Sequence, residues 1–252
     1  MIAYIQKHRG EFANINTLTA FLGFQEKGYE VHCFEFPELS GLSLNFDSLV
    51  VGGVRTVIAA FQQMGITPPE LPSIPPVLES FAGRRTWLGT MAEAEAEIHA
   101  GRMIFVKPVA ADRKLFPGTP FRVFRDTIPT AHIPQDHPVV LSEIVDFISE
   151  YRVFVLDGEI IGLRHYKGDF RVFPDLGIID EAIVAYHSAP AAYAIDFGIT
   201  KEGRTLLVET NEAFSLGCYG LTPLLYSTLL ERRWEELKSK HWQPPVTAGS
   251  HS

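Results

Sequence analysis

The sequence predicts a protein of mixed α/β and α+β class, in which a small parallel α/β layer is followed by a body built on antiparallel sheet. Strands and helices alternate over residues 1–65, which is typical of parallel strands joined by crossover helices. Five prolines then fall between residues 67 and 76, and such a stretch continues neither a helix nor a central strand. After Arg102 the apolar runs follow one another closely, which indicates antiparallel strands.

The N-terminal layer is predicted from its apolar periodicity. We expect strands at 2–6, 30–36 and 47–53, where β-branched and aromatic residues are frequent. Helical periodicity between the first two strands ends at Gly28, and a second helix begins at Val54. The alternation predicts that these strands lie parallel in one sheet.

The proline-rich stretch sets the predicted domain boundaries. We predict an N-terminal α/β domain over 1–68, a linker over 69–76, a second domain over 77–240 and a flexible tail over 241–252. In the second domain a helix is expected over 90–101, because good helix formers there end at a glycine.

The rest of the second domain is predicted to be strand-rich. The expected strands lie within 103–109, 120–124, 137–145, 151–166, 192–199 and 205–213. Asp157-Gly158 divides the fourth of these segments into a hairpin. Two helices, over 178–189 and 221–238, complete the prediction.

Composition excludes several classes of protein. The chain has 252 residues and a formal net charge of −8, which argues against a sequence-independent nucleic-acid binder. No apolar run approaches the roughly 20 residues that cross a bilayer, and the first residues do not resemble a secretory signal. The two cysteines, Cys33 and Cys218, have no metal-binding spacing. We therefore expect a cytoplasmic protein without a nucleic-acid or membrane partner.

The segment "LLVETNEAF" at 206–214 contains the strongest functional pattern. If 192–199 and 205–213 form a hairpin, Asp196 falls roughly opposite Glu209, and Asn211 shares the face of Glu209. Opposed carboxylates repel each other, and together with a carboxamide oxygen they suit a hard cation such as Mg²⁺. The alternative is a solvated sheet face, but the flanking residues are too apolar for that.

Two basic groups lie upstream. Lys107 interrupts an apolar strand just before Pro108, where it is either an edge residue or a phosphate contact. The loop that follows contains Lys114 and Gly118, and such a basic loop is able to fold over phosphates.

A third segment connects these groups. Glu143 and Glu150 flank an apolar stretch that includes Ile144 and Val145. An apolar slot with a hydrogen-bond acceptor at each end suits a purine and its ribose hydroxyls. The alternative is an amphipathic helical turn with two exposed glutamates.

The order of these parts resembles the ATP-grasp superfamily of carboxylate–amine ligases. A strand lysine, a phosphate loop, two glutamates seven residues apart and Asp followed by Glu-x-Asn occur in that order between about Pro76 and Leu230. The small α/β layer is similar to the usual N-terminal domain of that family. The resemblance implies an ATP-grasp fold and ATP with Mg²⁺ as cofactors, Mn²⁺ being the alternative metal ion.

The resemblance also implies roles for single residues. Lys107 and Lys114 would contact the ATP phosphates, while Glu143, Ile144 and Val145 would hold the adenine. Glu150 would bind the ribose hydroxyls, and the metal ligands would be Asp196, Glu209 and Asn211. A second phosphate-binding lysine is common ahead of the lysine strand, and here either Arg84 or Arg85 would replace it.

The implied reaction joins a carboxylate to an amine through an acyl phosphate, with release of ADP and phosphate. Arg152 and Arg164 would hold the acceptor carboxylate, because two arginines near opposite positions of one hairpin need anions nearby. Counting from the turn places them about one step apart. Two alternatives stay open, a catalytically silent ATP-binding regulatory module and an ATP-grasp phosphotransferase. The identity of the substrates, whether small molecule, peptide or protein, and the formation of a homodimer are also left open.

Overall fold

The chain folds around three separate β-sheets in a computed structural model that describes residues 1–67, 72–109 and 115–241. The strands are β1 (Ile2–His8), β2 (Glu11–Phe12), β3 (Glu30–Glu35), β4 (Ser48–Val51), β5 (Thr86–Thr90), β6 (Ile104–Pro108), β7 (Thr119–Phe121), β8 (Pro138–Ser142), β9 (Phe147–Leu156), β10 (Glu159–Gly168), β11 (Ala192–Thr200) and β12 (Thr205–Glu212). The α-helices are α1 (Ile15–Glu26), α2 (Val54–Gln63), α3 (Glu79–Ala82), α4 (Met91–His99), α5 (Leu176–Ala185) and α6 (Pro223–His241). Short 3₁₀ helices occur at Phe36–Gly41, Pro76–Leu78 and Phe124–Thr130.

The first sheet is the predicted N-terminal layer. β1 pairs in parallel with β3 on one side and β4 on the other, and the unpredicted short strand β2 pairs with it antiparallel. α1 begins where the side chain of Asn14 accepts hydrogen bonds from the backbone N–H groups of Asn16 (2.9 Å) and Thr17 (3.2 Å).

The second sheet has the antiparallel order β5-β8-β6-β7. β5 is not predicted from the sequence, because an edge strand of five residues containing Gly89 gives a weak signal. The predicted strand over 120–124 is shorter than expected, since the chain turns into a 3₁₀ helix at Phe124.

The third sheet has the antiparallel order β10-β9-β11-β12. Its side chains alternate between two cores, as a sheet covered on both faces requires. Ala194 packs in one core with residues of α1, α2 and α6. The neighbouring Ile195 packs in another core that includes Ile179 and Ala182 of α5. The fold class, mixed α+β with an antiparallel-sheet body, is confirmed.

The first core extends across the predicted domain boundary. Trp234 of α6 packs on Phe61 of α2 with ring centroids 4.2 Å apart. α1 also approaches α6 closely, because a Cβ atom on Gly23 would lie 2.0 Å from the carbonyl oxygen of Pro223. The division of the chain into domains stays a prediction. In the predicted linker, residues 72–75 form neither helix nor strand, and 68–71 lie outside the described residues.

No helix within the described ranges is long and apolar enough to cross a bilayer.

Candidate functional site

A cavity of about 880 Å³ is lined by residues of both the second and the third sheet. Most of the residues that the sequence singles out for nucleotide binding contribute to its wall. They are Lys107, Glu143, Ile144, Val145, Glu150 and Glu209. Lys114 is also a predicted nucleotide contact, but it lies outside the described residues.

The segment between β8 and β9 forms one side of this cavity. Glu143, Ile144 and Val145 have neither helical nor strand conformation, and the two apolar side chains are half-buried. The carboxylate of Glu143 accepts a hydrogen bond from the backbone N–H of Arg85 at 2.9 Å. The backbone N–H of Glu143 donates to the carbonyl oxygen of Arg85 at 3.1 Å. The alternative of an amphipathic helical turn is therefore wrong.

Glu150 is buried in β9 and has two partners on the neighbouring strand. The hydroxyl of Tyr166 donates to one carboxylate oxygen at 2.7 Å, and the ammonium group of Lys167 donates to the other. Burial raises the pKa of Tyr166 far above its usual value, and the nearby carboxylates Asp196 and Glu150 raise it further. Tyr166 and Lys167 also line the cavity. The sequence analysis misses both, although they follow Arg164 closely on the predicted hairpin.

The carboxylate pair of the predicted hairpin forms as expected. Asp196 of β11 lies directly opposite Glu209 of β12. The side-chain amide of Asn211 donates to the carboxylate of Asp196 at 3.2 Å, so it lies on the same face. The order of the strands brings these three side chains together although 15 residues separate Asp196 from Asn211.

Each carboxylate has its own basic partner, which the sequence analysis does not anticipate. The guanidinium of Arg152 donates to both oxygens of Asp196 at 2.8 and 2.7 Å, and the two side chains are only 8% and 2% exposed. Lys107 reaches over from the second sheet to Glu209 at 3.3 Å. Burial raises the pKa of Asp196 to about 6 even though Arg152 opposes this shift. Opposed carboxylates therefore do not require a metal ion here, because neighbouring strands supply two cations.

The face nevertheless has the donor chemistry of a magnesium site. Among the described residues there is no cluster of three or more His, Cys, Asp or Glu side chains suited to a metal ion. Two carboxylates and a carboxamide remain, and oxygen donors of this type are what Mg²⁺ prefers. A carboxylate accepts several hydrogen bonds or ligands, so the contacts of Asp196 and Glu209 leave lone pairs available. The three side chains thus fit a hard cation that completes its shell with phosphate and water.

Arg152 and Arg164 are direct partners on β9 and β10. The sequence places them one step apart, because counting from the turn misses the bulge between Ile160 and Gly162. The anion bound by Arg152 is Asp196 rather than Glu150. Arg164 instead donates to the backbone carbonyl oxygens of Gly220 (3.3 Å) and Leu163 (3.0 Å). Within the described part of the chain, no carboxylate lies within ion-pair distance of Arg164.

Arg84 and Arg85 point in different directions. The side chain of Arg84 lines the cavity and donates to backbone carbonyl oxygens of β12. The guanidinium of Arg85 lies over the ring of Trp87, 4.1 Å from its centroid. Of the two arginines, Arg84 is the one whose side chain reaches the cavity wall.

Comparison with known families decides the classification. Residues 81–229, more than half of the chain, match a family model described as an ATP-grasp domain, the second family of its clade. The chain belongs to this ATP-grasp family. ATP-grasp ligases use ATP and Mg²⁺, so the family and the cofactors expected from the sequence are confirmed. A search of curated proteins finds no significant match.

Solved structures agree on the ATP-grasp fold. D-alanine–D-alanine ligase from Bacillus anthracis has a TM-score of 0.58 at 13% identity, covering 95% of this chain and 97% of that one. The D-cycloserine synthetase DcsG has a TM-score of 0.57 at 10% identity, with 93% and 100% covered. A RimK domain ATP-grasp protein from Sphaerobacter thermophilus DSM 20745 has 0.55 at 16%, with 94% and 98% covered. At these identities the likeness shows the fold alone.

Proposed function

We propose that this ATP-grasp protein is an ATP- and Mg²⁺-dependent ligase that joins a carboxylate to an amine through an acyl phosphate and releases ADP and phosphate. The observation that supports it best is a single arrangement. The carboxylate pair of Asp196 and Glu209 lies beside a nucleotide-sized cavity, with Lys107 from the opposite sheet in contact with Glu209. This arrangement combines a metal site, a phosphate-binding cation and an enclosed pocket.

The nucleotide end of the cavity is assigned to the segment between β8 and β9. Adenine would lie against Ile144 and Val145, whose half-buried side chains line the cavity next to backbone groups. Glu150 would accept hydrogen bonds from the ribose hydroxyls. Its contacts with Tyr166 and Lys167 hold the carboxylate in place.

The phosphate end is assigned to the carboxylate face. Asp196, Glu209 and Asn211 would hold Mg²⁺, or Mn²⁺ as the alternative ion, which neutralises charge on the phosphates. Lys107 would then contact the phosphates as a compact positive charge. The role of Arg152 is to keep Asp196 ionised and oriented, since its bidentate contact fixes both carboxylate oxygens.

The acceptor carboxylate is assigned to Arg164. Its guanidinium uses two hydrogen bonds on backbone carbonyls, which leaves other N–H groups for a bound anion. A guanidinium beside the phosphoryl acceptor stabilises the charge that develops as the acyl phosphate forms and as the amine displaces phosphate. The amine and carboxylate are small molecules or peptides, and their identity is the specific question for experiment.

The test is an analysis of reaction products. The protein is incubated with ATP, Mg²⁺ and pooled carboxylates and amines, and mass spectrometry identifies the products. We expect ADP and phosphate in equal amounts together with an amide, and no such product with the Lys107→Ala variant. AMP and pyrophosphate would contradict the acyl-phosphate route. A stable phosphate ester would indicate a phosphotransferase, and nucleotide binding without turnover in any pool would indicate a regulatory module.

A further inference from the structure

Strand β12 contains a bulge immediately before Glu209. Asp196 is paired with Glu209, but the next residue of β11, Phe197, is paired with Leu207, so Val208 has no partner on β11. Bulges of this kind bend a strand and redirect the following side chain. Here the redirected side chain is a carboxylate that contacts Lys107 and faces Asp196.

The carbonyl groups of the bulge are bound by Arg84. Its guanidinium donates to the carbonyl oxygens of Leu207 at 2.7 Å and Val208 at 2.9 Å, and also to that of Ala82 at 3.1 Å. β12 is the last strand of its sheet in the described part of the chain, so these carbonyl oxygens have no strand beyond them. Buried backbone acceptors need partners, and Arg84 supplies them at this edge.

The chain around Arg84 is shaped to reach the bulge. Gly83 has a left-handed conformation with φ +59°, and a Cβ atom on it would lie 2.7 Å from a methyl carbon of Leu206. The corner between α3 and β5 therefore packs directly on β12, one residue before the carbonyl oxygens that Arg84 binds. Only glycine allows both this backbone and this close approach.

We propose that Arg84 is a positioning residue that holds the β12 bulge in the shape that aims Glu209 at the metal site. The inference rests on the proposed function, because it treats Glu209 as a metal ligand. Three N–H groups of Arg84 are used on backbone carbonyls, so its main role differs from that of a phosphate contact. A planar fork spans two successive carbonyl oxygens, whereas the single ammonium group of a lysine does not.

The inference is tested by substituting Arg84 and measuring the affinity for ADP by calorimetry, once with Mg²⁺ and once with EDTA. Partners of metal ligands typically contribute about 10–100-fold to metal affinity. We therefore expect Arg84→Lys to lose at least about tenfold of the Mg²⁺-dependent gain in ADP affinity, with the affinity in EDTA unchanged. Arg84→Gln, which also lacks the fork, should lose as much. The matched control is Arg85→Lys, which should keep both affinities.

Each other outcome has a definite meaning. If Arg84→Lys binds ADP like the parent while Arg84→Gln does not, the charge matters rather than the fork, and the positioning role is wrong. An equal loss in Mg²⁺ and in EDTA would also overturn it, since that pattern indicates direct phosphate contact. If the parent protein binds ADP no better with Mg²⁺ than without, the proposed function itself fails. All titrations are made below the melting transition of each variant, as measured by circular dichroism.

Discussion

At the scale of single residues, the two carboxylates of the site differ in how much the fold depends on them. Asp196 is buried with Arg152, whereas the side chains of Glu209 and Lys107 are 35% and 19% exposed. A charge left alone in a protein interior is expensive, while an exposed ion pair contributes little because water screens it. The same chemical change should therefore have different effects at the two positions.

We predict that Asp196→Asn lowers the free energy of unfolding by about 3–5 kcal/mol, because it leaves Arg152 buried without its partner. Glu209→Gln should change it by about 1 kcal/mol or less, since its contact with Lys107 is partly solvated. Urea denaturation of the two variants and the parent, without nucleotide or metal, measures the difference. Equal losses at both positions would contradict the distinction between a buried pair and an exposed one.

The residues of the site could be predicted from the sequence only where chain order determines their position. Asp196 and Glu209 belong to one hairpin, so the turn between them fixes their pairing. Arg152 lies across from Asp196 because β9 pairs with β11, and the sequence gives no sign of that pairing. The contact of Lys107 with Glu209 joins two different sheets and spans 102 positions, which no local pattern reports.

At the scale of elements, α6 is attached to the third sheet through a buried ionic cluster. The guanidinium of Arg233 donates to both carboxylate oxygens of Glu212, at 2.7 and 2.8 Å, and to Glu236 at 2.7 Å. Arg233 and Glu212 are 3% and 6% exposed. Glu212 follows Asn211 directly, so this cluster also anchors the end of the strand that presents the candidate metal ligands.

We predict that Arg233→Met lowers the free energy of unfolding by about 3–5 kcal/mol, because the guanidinium shared by two enclosed carboxylates is lost. The neighbouring Arg232 provides a matched control, since its partner Asp157 and its own side chain are 54% and 38% exposed. Arg232→Met should cost about 1 kcal/mol or less. Chemical denaturation followed by tryptophan fluorescence compares the two. Similar losses would show that burial does not control the strength of these contacts.

The prediction of elements from sequence succeeds where periodicity is strong and fails at irregularities of the backbone. β11 and β12 are continuous apolar runs and are predicted nearly to their ends. The register of Arg152 and Arg164 is off by one step, because the bulge beyond Ile160 inserts a residue that turn counting cannot detect.

At the scale of the whole molecule, the proposed site depends on two sheets that share one cavity. The order of motifs along the chain predicts the ATP-grasp fold and its cofactors, and the family match confirms both. The shared core of α6 with the N-terminal layer is not predicted, because it depends on Trp234 and Phe61 meeting across most of the chain length.

The central claim is that Asp196, Glu209 and Asn211 together hold the metal ion of a bound nucleotide. The most direct measurement is a crystal structure of the protein with ADP and Mn²⁺, in which the anomalous signal of manganese locates the ion. We expect an anomalous peak bonded to oxygens of these three side chains and of the diphosphate, with Lys107 released toward the phosphates. Clear density for ADP with the manganese peak elsewhere, or with none, would contradict the claim.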